Sequence, residues 1–89
     1  MKIKPGFIIR ELAGEYVVVA LGEASKIFNG IIKLNDTGKF MWEKLAIGCE
    51  KEEIIQAILQ EYDVDHAQVE ADLDQFIKTL EGANILESK

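Results

Sequence analysis

The sequence predicts an α+β domain in which a three-stranded β-sheet is followed by a three-helix bundle. Short runs of β-branched and aromatic residues are confined to the first 34 positions, and from residue 36 apolar side chains recur at spacings of three and four. No internal repeat and no Pro/Gly/Ser-rich linker separates the two halves, so residues 1–89 are expected to fold as a single domain with a common core.

Phe7-Ile8-Ile9-Arg10-Glu11-Leu12 and Glu15-Tyr16-Val17-Val18-Val19-Ala20 read as two strands, near 7–12 and 15–21. Between them Ala13-Gly14 is a two-residue connection with a glycine free to take positive φ, the mark of a hairpin. Gly22 to Ser25 reads as a small-residue loop. Asn29-Gly30 reads as a turn leading into Ile31-Ile32-Lys33-Leu34, a third strand near 30–34.

Asn35 or Asp36 is placed to cap a first helix near 36–47, on which Gly38, Met41, Trp42 and Leu45 share one face and make Trp42 a core anchor. Gly38 lowers helix propensity by up to ~1 kcal/mol, which predicts close approach of another element's backbone. Glu50, Glu52 and Glu53 favour a second helix start near residue 51. Ile54, Ile55, Ile58, Leu59 and Tyr62 form its apolar stripe. For a third helix near 66–81 the sequence offers Asp65 as cap, Gln68 as capping-box partner and Val64 with Val69 as a hydrophobic staple. Val69, Leu73, Phe76, Ile77 and Leu80 then line one face. Gly82 is the expected C′ residue, with Ile85 and Leu86 folding back on the core.

Composition narrows the function. Residues 1–49 carry seven Lys/Arg against five Asp/Glu (net +2), and residues 50–89 carry three against eleven (net −8). An acidic second half repels phosphate backbones and favours basic partners. The longest apolar runs are strand-length, so no membrane span is expected, and the start lacks the order of a signal peptide; a cytoplasmic protein is expected. One histidine, His66, and one cysteine, Cys49, stand far apart in sequence, without the spacing of a metal site or a nucleophile pair. Glu70, Asp74 and Glu81 read as solvated, and no glycine-rich phosphate loop is present. The expectation is a binding module rather than an enzyme, with no catalytic residue, metal or cofactor.

Two helical classes fit the inventory but not the residues. An acyl carrier needs Asp-Ser-Leu at a helix start, where this chain has Asp36-Thr37-Gly38. A winged-helix DNA-binding transcriptional regulator needs a basic recognition helix, and here the third helix sets Asp72, Asp74 and Glu81 against Lys78.

The run Leu34-Asn35-Asp36-Thr37-Gly38-Lys39-Phe40-Met41-Trp42-Glu43-Lys44-Leu45 resembles the LNxTGxxxWxxL signature of the pyrroloquinoline quinone (PQQ) biosynthesis protein D family. Glu53-Ile54-Ile55, Glu61-Tyr62-Asp63-Val64-Asp65 and Asp72-Leu73-Asp74-Gln75-Phe76-Ile77 are similar to the later helices of that family, and the resemblance extends over about residues 7–86. It implies a winged-helix-like recognition element for ribosomally synthesised, post-translationally modified peptides. Such a chaperone holds the leader of a precursor peptide as an added strand and presents it to a modifying enzyme, often a radical S-adenosylmethionine (SAM) protein. The loop Gly22 to Asn29 departs from the proline-bearing loop of the quinone pathway itself.

Independently of the resemblance, a three-stranded sheet leaves an edge of unpaired N–H and C=O groups that can template another strand. With the resemblance, the expected peptide-binding residues are Ile31, Ile32, Lys33 and Leu34 on the third strand and Asp72, Gln75, Phe76 and Thr79 on the third helix. The expected assembly is a monomer or weak homodimer that binds neither nucleic acid nor membrane.

Overall fold

The structure, a computed structural model, describes residues 2–28 and 30–87. In chain order these form Lys2–Ile3 (β1), Phe7–Leu12 (β2), Glu15–Ala20 (β3), a 3-10 helix over Gly22–Lys26, Ile32–Leu34 (β4), Asp36–Ala46 (α1), Lys51–Glu61 (α2), His66–Gly82 (α3) and Leu86–Glu87 (β5). The sheet is antiparallel in the order β2-β3-β4, and three helices follow it, as the segregation of patterns predicts. A second, two-stranded sheet pairs β1 with β5, matching Lys2 with Glu87 and Ile3 with Leu86. Strands of two residues carry no periodicity, so nothing in the sequence pattern announced it.

The β2–β3 hairpin forms around Ala13 (φ 52°) and Gly14 (φ 83°), with Leu12 opposite Glu15. Positive φ at both central residues is what a type I′ turn requires to match strand twist. Ala24 of the 3-10 helix, expected in a loop, is buried against Gly6. Gly6 has φ +93°, and a Cβ there would stand 2.7 Å from the Ala24 Cβ, so glycine is required. The third strand is shorter than the expected 30–34. Ile31 lies outside β4, and of the Asn29-Gly30 turn Asn29 falls outside the described residues.

Alternation sorts the sheet. Phe7, Ile9, Tyr16, Val18, Ala20, Ile32 and Leu34 face the helices and join one core with Trp42, Leu45, Ile54, Ile58, Leu73, Leu80 and Ile85. Trp42 is buried within it, as its helical spacing requires.

The helix ends explain several departures. The Asn35 side chain caps α1 by accepting from the Gly38 amide at 2.7 Å. A Cβ on Gly38 would lie 3.1 Å from Asn35 Oδ1 and 3.4 Å from Leu34 Cβ, so the glycine accommodates its own cap and the preceding strand residue rather than another element's backbone. After α1, Gly48 (φ 91°) donates to the Leu45 carbonyl and Cys49 to that of Lys44, both at 3.0 Å. This is the Schellman pattern. The reciprocal capping box is at α2, where Glu53 Oε1 accepts from the Glu50 amide at 2.7 Å. At α3 the expected box is absent, because Gln68 donates instead to Asp72 Oδ1, one turn on, at 2.9 Å, and Val64 of the expected staple stays exposed.

Gly82 is not the C′ residue, because α3 runs through it. Asn84 takes the left-handed position (φ 62°), its amide donating to Glu81 at 3.0 Å and that of Ile85 to Leu80 at 2.9 Å. Asn84 Oδ1 also accepts from Lys4 Nζ at 2.6 Å, while the Lys4 amide donates to the Ile85 carbonyl at 2.8 Å. An asparagine is tolerated here because its short polar side chain offsets part of the left-handed penalty.

Removing the α1 cap tests this account of the β4–α1 junction. Asn35→Ala is expected to cost about 1 kcal/mol, or ~4–8 °C in Tm for a domain of this size. Thermal unfolding followed by circular dichroism measures it; an unchanged Tm would contradict the capping role.

Candidate functional site

The ladder fixes which backbone groups of β4 are free. In a hairpin with a two-residue loop the residues flanking the turn, Leu12 and Glu15, form a hydrogen-bonded pair, and such pairs then recur at every second position. Glu15, Val17 and Val19 therefore turn their backbone groups toward β2, and Tyr16 and Val18 turn theirs toward β4. With Tyr16 opposite Leu34 and Val18 opposite Ile32, Ile32 and Leu34 spend their hydrogen bonds on β3. Lys33 alone within β4 presents both its N–H and its C=O to the open side of the sheet. Ile32 and Leu34 point their side chains inward beneath that edge, whereas the Lys33 ammonium reaches Glu15 Oε1 at 3.7 Å across the outer surface.

Facing this edge is α3. Ile32, Lys33 and Leu34 line one side of a cavity of about 410 Å³ and Asp72, Gln75, Phe76 and Thr79 line the other. Seven of the eight residues expected from the sequence are thus brought together. Ile31 does not line the cavity; it precedes the strand and is 63 % exposed. Four lining residues were not foreseen as such: Asn35, Thr37, Gly38 and Met41. They belong to the first turns of α1, which starts one residue after β4 and so lies under the groove. Their signal was present in the Asn-x-Thr-Gly run, where Asn35 reads as a cap and Gly38 and Met41 as core.

The walls differ in character. Phe76, half-buried and packed on the core, supplies apolar surface together with Ile32, Leu34 and Met41. Asp72 and Gln75 are exposed at the rim, Asp72 held by Gln68. Thr79 turns its hydroxyl back to the Gln75 carbonyl at 3.0 Å. Asp74, expected to be solvated, is half-buried and pairs with Lys51 at 2.5 Å, tying α3 to the start of α2. That hydrogen bond raises the Lys51 pKa. Lys39 is raised in the same way by its hydrogen bond with Glu43 and also lies over the Tyr16 ring at 5.0 Å. Both lysines therefore hold their charge throughout the neutral range.

Among the described residues no group of three or more His, Cys, Asp or Glu is placed to hold a metal ion, and His66 and Cys49 do not line the groove. No helix among them is long and apolar enough to cross a membrane. What the groove offers is an unsatisfied strand edge with apolar sockets below it and polar groups at the rim. In β-strand addition, an edge of this kind supplies backbone pairing for an extended chain and sockets for its alternate side chains.

Comparison with known proteins bears on the family and the fold. The family model described as Coenzyme PQQ synthesis protein D (PqqD) matches residues 15–86. The structure of TbiB1 in complex with the TbiA(beta) leader peptide is similar over 100 % of this chain and 98 % of that one, with 31 % identity and a TM-score of 0.79. The structure of lasso peptide synthetase B1 complexed with the leader peptide is similar in fold over 94 % of this chain and 93 % of that one, with 19 % identity and a TM-score of 0.73. A search of curated proteins finds no match.

The assignment of the free edge is testable without any ligand. In hydrogen exchange the Lys33 amide is expected to exchange much faster than those of Ile32 and Leu34. Lys33→Pro is expected to leave the fold intact, whereas Ile32→Pro, which removes a ladder bond and leaves its partner carbonyl unpaired, is expected to cost about 1–3 kcal/mol. Protection of Lys33 in the free chain would show that the register is wrong.

Proposed function

This chain belongs to the PqqD family, and from that premise we propose that it is a recognition element that captures the leader of a ribosomally synthesised precursor peptide in the β4–α3 groove. It then presents the peptide to a modifying enzyme, a radical SAM protein being the type the family resemblance suggests. The observation that carries the reading is the Lys33 edge opening onto an apolar-floored groove. The structure of TbiB1, a chain of the same fold solved as a complex with a leader peptide, supports it. The proposed contacts are the backbone from Ile31 to Leu34 and the side chains of Asp72, Gln75, Phe76 and Thr79. The chain contributes binding and orientation; the chemistry belongs to its partner.

Magnitudes say what the peptide must bring. About two to four ladder bonds contribute ~0.5–1.5 kcal/mol each, and ordering each peptide residue costs about 1–2 kcal/mol. Backbone pairing alone does not hold it. A micromolar complex needs about 8 kcal/mol, so two or three apolar side chains at ~1.5–3 kcal/mol each must fill the sockets. Residues flanking the one that pairs with Lys33 face inward, toward Ile32, Leu34 and Phe76. Apolar residues two positions apart therefore fit the groove, and Asp72 at the rim favours a basic neighbour.

The experiment is selection of a displayed library of random dodecapeptides on the immobilised chain, followed by calorimetry with the selected peptides. Micromolar binders with apolar residues two apart are expected. Lys33→Pro should abolish their binding while circular dichroism stays unchanged, and Phe76→Ala should weaken it by roughly 10- to 100-fold. Binders whose affinity survives Lys33→Pro in a folded chain would show that the edge is not the site.

A further inference from the structure

The open edge carries a charge of its own. Lys33 is the residue of β4 that turns its backbone groups outward, so a strand added there sets one residue directly opposite it, with its side chain on the same outer surface as the Lys33 ammonium. Among the described residues that line the groove, Lys33 is the only cation. Inward residues on either side of that position meet Ile32, Leu34 and Phe76 and are sorted by size and polarity. The residue opposite Lys33 is sorted by charge, because directly opposed side chains stand close enough to attract or repel.

Glu15 does not use up that charge. Its Oε1 lies 3.7 Å from Lys33 Nζ, longer than a hydrogen bond, and the two side chains are 62 % and 75 % exposed. An ion pair so placed contributes little, and an ammonium with three donors accommodates a second carboxylate. Glu15 belongs to β3, on the side of Lys33 away from the edge. A residue on an added strand would stand two strand spacings from it, roughly 10 Å, about one Debye length at 0.1 M salt, so repulsion between the two acids is largely screened. The same lysine says what does not fit. No other residue of β4 offers outward backbone groups, so two copies of this edge would pair antiparallel only with Lys33 opposite Lys33, which like charge opposes.

We infer that Lys33 is a specificity-determining residue of the groove: its ammonium selects an Asp or Glu at the peptide position that pairs with it and rejects Lys or Arg there. This rests on the function proposed above and sharpens it. The preferred segment reads apolar-acidic-apolar, with any basic residue lying toward Asp72. One side chain thus discriminates by attraction to the right partner and by repulsion of the wrong one, a second copy of the same edge included.

The test takes a peptide selected as above and prepares it with Glu, Gln or Lys at the position between its two apolar residues. Each version is titrated by calorimetry into the wild-type chain and into Lys33→Glu, whose fold is checked by circular dichroism. Loss of the Gln version's binding in Lys33→Pro reports on the earlier reading alone; if that binding survives, the edge is not the site and this inference falls with it. Wild type should bind the Glu version about three- to tenfold more tightly than the Lys version, with Gln between them. Lys33→Glu should reverse that order, and the spread should shrink on going from about 0.05 to 1 M salt. A variant that merely disturbed the strand would weaken all three versions alike without reversing them. Equal affinities of the three for wild type, or the same order in both chains, would overturn the inference.

Discussion

One residue separates the last strand of the sheet from the first helix. Leu34 ends β4, Asp36 begins α1, and Asn35 between them serves both, closing the helix start with its side chain while the chain turns out of the sheet. So tight a junction admits no side chain at Gly38 without crowding the cap. It also stops β4 at three residues and puts the first turn of α1 directly under the strand edge. The groove depends on that: its floor is α1, one wall is the edge and the other is α3. A longer connection would let the strand extend or the helix swing away, and either would remove the space between edge and helix.

Much of this architecture was legible because local chemistry and tertiary packing agree. Ala13-Gly14 announces a two-residue hairpin, Asn35 a cap, and the spacing of Met41, Trp42 and Leu45 a buried stripe, and each is found. The failures have physical reasons. Gly82 was the obvious terminator, but a helix stops where its last carbonyls find donors, and Asn84 supplies the left-handed turn two residues later. Gln68 fits a capping box by spacing, yet Asp72 on the next turn competes for it successfully. The β1–β5 pairing joins segments too short to show a pattern. For the groove, the free edge follows from the strand pattern and the opposing helix from the family resemblance, while the contribution of α1 was hidden because Asn35, Gly38 and Met41 have sufficient structural reasons of their own.

The division of charge along the sequence becomes a division in space. Acidic side chains of α3 border the groove through Asp72 and bind Lys51 through Asp74, whereas Arg10 and Lys33 lie on the outer surface of the sheet. A chain of net charge −6 thus presents surfaces of different sign in different directions. The groove rim and the outer face of the sheet therefore differ in local charge.

The clasp between the chain's beginning and its far end governs the order in which the molecule is assembled. Lys4 meets Asn84 across 80 residues of chain, whereas the hairpin and the helix caps close over two to five. Long closures are entropically disfavoured until intervening segments are in place, so local contacts form first and the Lys2–Glu87 ladder closes late. Because the clasp grips the carboxyl end of α3, that end of the helix is fixed only once Leu86–Glu87 can pair with Lys2–Ile3. A nascent chain therefore carries its β4 edge before the far wall of the groove is fixed in place.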